Sequence, residues 1–228
     1  MCIRDRCRIP PVSPQDAPVY NRIFGYGEEG AFYRDRPVLF LDQAFQKQLN
    51  LPVPTGKLLE RVAAACGPQN VALRLHPTRP PEDGEYRGCN VAVAPASPCP
   101  WEVLLLNLDL EDRIFVSVHS TACLTPKLVF DQEPTVILLY RLVEELFERL
   151  PPHLRPNEAF FQAVRDTYRR PERFLIRTNV LLDGSVPRHN KYIFKLQTMM
   201  RRKLIIYFYG HTATSFKKTN LGLLPVKF

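Results

Sequence analysis

The stretch Arg113-Ile114-Phe115-Val116-Ser117-Val118-His119-Ser120-Thr121 is where the sequence commits to a fold. Its apolar, β-branched part reads as a buried strand, and Ser120-Thr121 are natural N-cap residues that open the next helix. The same succession recurs on both sides. Upstream, Val38-Leu39-Phe40-Leu41 is a short apolar run fit for a buried strand. Leu58, Leu59, Val62, Ala63 and Cys66 then fall at helical spacing, and Gly67-Pro68 stops that helix. Val71–Leu75 is a second strand, ending at His76-Pro77. After a proline-rich loop, Asn90–Ala94 reads as a short strand and Trp101–Leu108 as a brief helix with Pro100 favourable at its start. Downstream, Thr135–Tyr140 is a strand. Leu142, Val143, Leu146, Phe147 and Leu150 form the apolar stripe of a helix, and a further helix spans Glu158–Arg169. Strands alternating with helices require crossover connections, so the expected class is α/β with a mostly parallel, Rossmann-like sheet.

Composition bounds the function. At 228 residues the chain holds one good domain with an appendage. No run approaches the roughly 18 apolar residues of a membrane-spanning helix, and Met1–Arg6 carry charges without the apolar core of a secretory signal. The six cysteines lack CxxC pairs and accompanying histidine spacing, so neither a metal site nor a redox motif is expected, and the reading is a reduced, cytoplasmic protein. The net charge of +8 is unevenly placed. No Asp or Glu follows Asp183, whereas nine Lys or Arg do, which leaves the first 183 residues at −1. A near-neutral body argues against nucleic acid as a partner.

Three segments follow. Residues 1–36, with Pro10, Pro11, Pro14, Pro18 and the glycines of Gly25–Gly30, read as a linker or truncated remnant. Met1–Arg6 also matches a translated sequencing adapter, so the natural chain is expected to begin upstream and this one to be a fragment. Residues 37–175 form the expected domain, and 176–228 a basic extension. Two readings fit the acid-free tail from Arg188: an artefactual or merely solvated end, or peripheral attachment to an anionic membrane at the inner face of the cytoplasmic membrane.

Ligands of an open parallel sheet bind outside the carboxyl ends of the strands, and two polar clusters fall there. Ser120 and Thr121 bring two hydroxyls to helix N-terminal N–H groups, a natural phosphate cradle. Their bland reading is a plain cap. His76 is able to donate to a phosphate and to protonate a departing phosphate oxygen, and Pro77 fixes its approach by restricting the backbone before it. Taken singly, His76 is equally a satisfied loop histidine.

Read in order, Leu-Arg-Leu-His-Pro, Pro-Trp-Glu-Val-Leu-Leu, Ile-Phe-Val-Ser-Val-His-Ser-Thr-Ala and Pro-Thr-Val-Ile-Leu-Leu-Tyr-Arg-Leu resemble the donor half of bacterial sialyltransferases. These are the lipooligosaccharide sialyltransferases and the capsule polysialyltransferases, which share an HP motif and a downstream SS or ST motif. The resemblance covers Val38 to about Leu150. It implies the C-terminal, nucleotide-sugar-binding half of a GT-B glycosyltransferase, inverting and metal-independent, with no cofactor beyond its donor CMP-sialic acid and with a surface glycan as acceptor. It further implies that His76 contacts the CMP phosphate and acts as acid toward the leaving group, while Pro77, Ser120 and Thr121 complete the donor site. The family also needs a carboxylate base. Glu28-Glu29-Gly30 carries the letter pattern and Asp42 ends the first strand, but the base is expected in upstream sequence, which would leave this chain inactive alone. CDP-glycerol glycerophosphotransferases resemble the chain in the same motifs, yet usually carry an acid just before the serine pair, where Val118-His119 stand here. A non-catalytic nucleotide-binding fragment is the third reading.

Overall fold

A computed structural model describes residues 11–79 and 84–176. Met1–Arg6, the extension beyond 176 and its basic tail lie outside the described residues. Six strands form one sheet: β1 Val38–Leu41, β2 Val71–Arg74, β3 Ala92–Val93, β4 Ile114–Ser117, β5 Thr135–Leu138 and β6 Phe174–Ile176. Their order is β3-β2-β1-β4-β5-β6, and all five pairings are parallel. This is a Rossmann-like α/β fold. Order and direction together place every strand's carboxyl end on one edge, with β1 at the centre and the topological switch between β1 and β4.

All four residues of β1, and all four of both β4 and β5, are buried. Successive strand side chains point to opposite faces, so both faces of the sheet are covered, the usual condition of parallel sheets. Among the helices are α1 Ala17–Phe24, α2 Phe45–Leu49, α3 Thr55–Cys66, α4 Trp101–Leu106, α5 Thr125–Phe130, α6 Glu144–Phe147 and α7 Glu158–Asp166. α3 packs on β2 through the stripe that the spacing identified, and Gly67 ends it at φ +87°, a conformation that favours glycine.

Four local readings are corrected. The amino-terminal segment is not loop throughout: α1 packs on α4, and Asn21 and Asn107 exchange side-chain amide hydrogen bonds of 2.8 and 2.7 Å. Prolines are tolerated there because Pro14 and Pro18 sit in first turns. The helix after Ser120 is delayed. Ser120 caps only a 3-10 turn, Thr121–Cys123, and α5 begins at Thr125. A helix run on from Thr121 would put Pro126 in its interior at a cost of about 3 kcal/mol. The stripe from Leu142 yields only α6 after a 3-10 turn, since Pro151 disfavours helical geometry in the residue before it. Finally β6 and α2 are additions, each too short to show a period.

At the opposite, amino edge, a cleft of about 460 Å³ is lined by charged residues including Asp109, Glu111, Asp131, Glu133, Arg169 and Arg170. Glu133 anchors it. Its side chain is 2% exposed and accepts from Lys127 Nζ at 2.6 Å and from the Arg169 and Arg170 amides at 2.9 and 3.2 Å. Burial works to raise its pKa, but the Lys127 ammonium and those amides overcome it and hold the carboxyl down to about 2. A carboxylate depressed on folding contributes stability above its unfolded pKa and loses it as pH falls toward the folded value, a contribution on the order of 3 kcal/mol here. Glu133→Gln is therefore expected to be destabilised at pH 7 in urea titrations. Its stability should also fall less steeply than the native chain's between about pH 4.5 and pH 2. Parallel pH profiles for the two proteins would contradict this.

Candidate functional site

The registers level the strand ends. Leu41 pairs with Arg74, and Phe40 with Val116, so Asp42 leaves β1 beside the residues that leave β2 and β4. His76 and Ser120 thus stand on the same edge, flanking the central strand. Both arrive on tight turns whose hydrogen bonds lead back to Asp42 and Gln43.

The first turn is His76-Pro77-Thr78-Arg79. Arg79 N–H donates to His76 O at 2.9 Å, and Pro77 holds the second position, where its fixed φ suits such a turn. The turn is fastened by its last residue. Arg79 donates from Nε to Asp42 Oδ2 at 2.5 Å and from Nη2 to Asp42 Oδ1 at 3.0 Å, a bidentate pair with side chains 5% and 0% exposed. Nη2 also reaches Gln43 O at 2.9 Å, and Nη1 reaches Glu85 Oε2 at 2.6 Å. Asp42 further accepts from the His76 amide at 3.1 Å and from the Tyr86 hydroxyl. Burial and the neighbouring Asp42 carboxylate push the Tyr86 hydroxyl far up, so it remains a donor. Glu85 in turn accepts from the Thr55 amide at 3.1 Å and from its hydroxyl. Gly56 permits this approach, because a Cβ there would stand 2.4 Å from Glu85 O.

Within the turn, the His76 ring is half-buried and its Nδ1 faces the Thr78 amide at 3.2 Å and the Thr78 hydroxyl at 2.9 Å. An N–H donor aimed at Nδ1 assigns the ring proton to Nε2. In that tautomer Nε2–H is the ring's donor. Pro77 is exposed, and Lys47 Nζ donates to Thr78 O at 3.0 Å, which brings an ammonium to the same turn.

The second turn follows β4. Ser117, fully buried, donates its hydroxyl to Leu41 O at 2.8 Å and accepts from the Ser120 amide at 3.3 Å. The His119 amide donates to Gln43 Oε1 at 2.8 Å. Ser120 Oγ accepts from the Ala122 amide at 3.3 Å, leaving its own hydroxyl proton to donate, and Thr121 is exposed. From below, Trp101 Nε1 holds Ala122 O at 3.0 Å. The His119 ring packs between Phe45 and Phe147, at centroid distances of 5.2 and 5.1 Å, and burial lowers its pKa. Its Nε2 is buried without a hydrogen-bond partner among the described residues.

Both carboxylates named as weak candidate bases are engaged in hydrogen bonds. Asp42 is buried and accepts from His76, Arg79 and Tyr86. Glu29 accepts from the Gly27 amide at 2.7 Å and Ser97 Oγ at 3.1 Å, and hydrogen bonding holds its pKa below the ordinary value. Sequence reading named His76, Pro77, Ser120 and Thr121, and the structure brings all four to one edge. It missed Gln43, Arg79 and Tyr86, and it did not foresee that Asp42 holds a turn. A polar pair directly after the central buried strand was the available signal. No group of His, Cys, Asp or Glu with metal-binding geometry occurs among the described residues. No family model, curated protein or solved structure matches the chain.

Removing one partner of the buried pair strands the other. Asp42→Ala is expected to cost about 3–5 kcal/mol, far more than a surface ion pair. Urea denaturation checks this, and a loss below about 1 kcal/mol would mean that the pair does not hold the turn.

Proposed function

We propose that this chain is the donor-binding half of a sialyltransferase, holding CMP-sialic acid at the carboxyl edge of its sheet. One observation carries the reading: the His76 turn and the Ser120-Thr121 turn, which the sequence resemblance pairs as a phosphate site, flank the end of the central strand at the topological switch. That is where an open α/β sheet binds ligands.

The chemistry asked of such a site is modest. When an acceptor hydroxyl displaces CMP from the anomeric carbon, the C–O bond to the phosphate breaks and negative charge accumulates on the departing phosphate oxygen. Donors held in place before reaction stabilise that charge without reorganising. His76 Nε2–H and the hydroxyls of Ser120 and Thr121 are such donors, with Lys47 a nearby positive charge. His76 donates its Nε2–H to the departing phosphate oxygen and serves as the acid toward the leaving group. The delayed α5 has a further consequence: the hydroxyls carry the anion, not a long helix dipole. The acceptor's proton goes to a carboxylate outside the described site, from a second half of a GT-B enzyme. The glycan acceptor binds there as well.

Calorimetric titration tests this directly. CMP and CMP-sialic acid should bind the full chain more tightly than CDP-glycerol. The Ser120→Ala/Thr121→Ala double variant should lose about 1.5–3 kcal/mol of CMP affinity through its charge-assisted contacts. Unchanged affinity in a folded double variant would remove the proposed site, and a preference for CDP-glycerol would transfer it to glycerophosphate chemistry.

A further inference from the structure

Gln43 occupies a position the motifs do not mention. It follows Asp42 at the end of the central strand, between the two turns, and it bonds to both. Its backbone carbonyl accepts from Arg79 Nη2 at 2.9 Å, on the His76 side. Its side-chain Oε1 accepts from the His119 amide at 2.8 Å, on the Ser120 side, and lies 3.3 Å from Ser117 Oγ, whose proton goes to Leu41 O. The His119 N–H also settles the orientation of the carboxamide. An N–H donor in front of one terminal atom requires that atom to be oxygen, so the other is Nε2 with two N–H donors. Nε2 has no hydrogen-bond partner among the described residues.

We propose that Gln43 is a further donor-binding residue: its Oε1 fixes the loop that carries Ser120 and Thr121, and its Nε2 donates to the phosphate held between the two turns. The proposal rests on the reading of this edge as the phosphate site, and it adds a residue of a kind that motif likeness does not identify. Glutamine suits the task for a physical reason. A carboxamide is an acceptor at one end and a neutral donor at the other. It therefore joins a backbone N–H to an anion without carrying charge, and its oxygen is immobilised before the ligand arrives. Glutamate keeps the acceptor and loses the donor. Leucine, of similar size, loses both.

Those two variants separate the roles, with amide hydrogen exchange and CMP calorimetry as readouts on the full chain. Gln43→Leu should exchange the His119 amide faster while Arg79 stays protected, because Arg79 binds the backbone carbonyl. It should also weaken CMP about tenfold or more, the loss expected of one charge-assisted contact. Gln43→Glu should keep the His119 amide protected, since its carboxylate still accepts, yet bind CMP more weakly than the native chain. Unchanged His119 exchange in Gln43→Leu would overturn the positioning role. Native CMP affinity in Gln43→Glu would overturn the donating role, and if Ser120→Ala/Thr121→Ala still weakened CMP, the phosphate site itself would stand. Absence of CMP binding by the native chain would overturn both the site and the donor role of Gln43.

Discussion

A buried carboxylate at the end of β1 needs counter-charge, and Arg79 supplies it from a turn 37 residues away in sequence. Taking both groups out of water costs several kcal/mol per ion, which their attraction repays only when the geometry is good and the remaining donors and acceptors are satisfied. Here they are: Asp42 also receives the His76 amide and the Tyr86 hydroxyl, and Arg79 also reaches Gln43 O and Glu85. A hydrophobic pair would fill the same space with less desolvation, but it would not specify an angle. The bidentate pair does, and it thereby fixes the turn that presents His76. Every other element of the edge is arranged around that fastening.

The sheet follows from a simpler constraint. Strands buried on both faces must be apolar throughout, which is why β1, β2, β4 and β5 were legible as short hydrophobic runs and why their parallel direction followed from the helices between them. β6 was not legible, since Phe174-Leu175-Ile176 is three residues long and follows Pro171. Neither was α1, because prolines at permitted first-turn positions have the same letters as prolines in a linker. The site divides similarly. His76, Pro77, Ser120 and Thr121 were readable because each lies within a few residues of a strand end. Gln43 and Arg79 were not, because their meaning depends on partners brought together only by the register of β1 with β2 and β4. Thr125-Pro126 shows the reverse: the proline that postpones α5 was in plain view and outweighed the capping pair.

The two edges of the sheet have different electrostatic characters. At the amino edge, Glu133 collects Lys127, Arg169 and Arg170, and Glu111 pairs with Arg170 and Arg173. Charges there are matched to one another, and the edge serves stability. At the carboxyl edge the buried charges are also matched, but the neutral donors of His76, Gln43, Ser120 and Thr121 are left over. Donors in a fixed arrangement around a strand end are what a phosphate requires, and this difference supports the proposal that the ligand binds at the carboxyl edge.

Mapping CMP by amide and side-chain chemical shifts on the isotope-labelled full chain tests that assignment most directly. The account predicts saturable shifts at His76, at the Gln43 carboxamide and at Thr121, with Glu111 and Arg170 unmoved. Shifts confined to the amino-edge cleft, or none at the carboxyl edge at millimolar CMP, would contradict it.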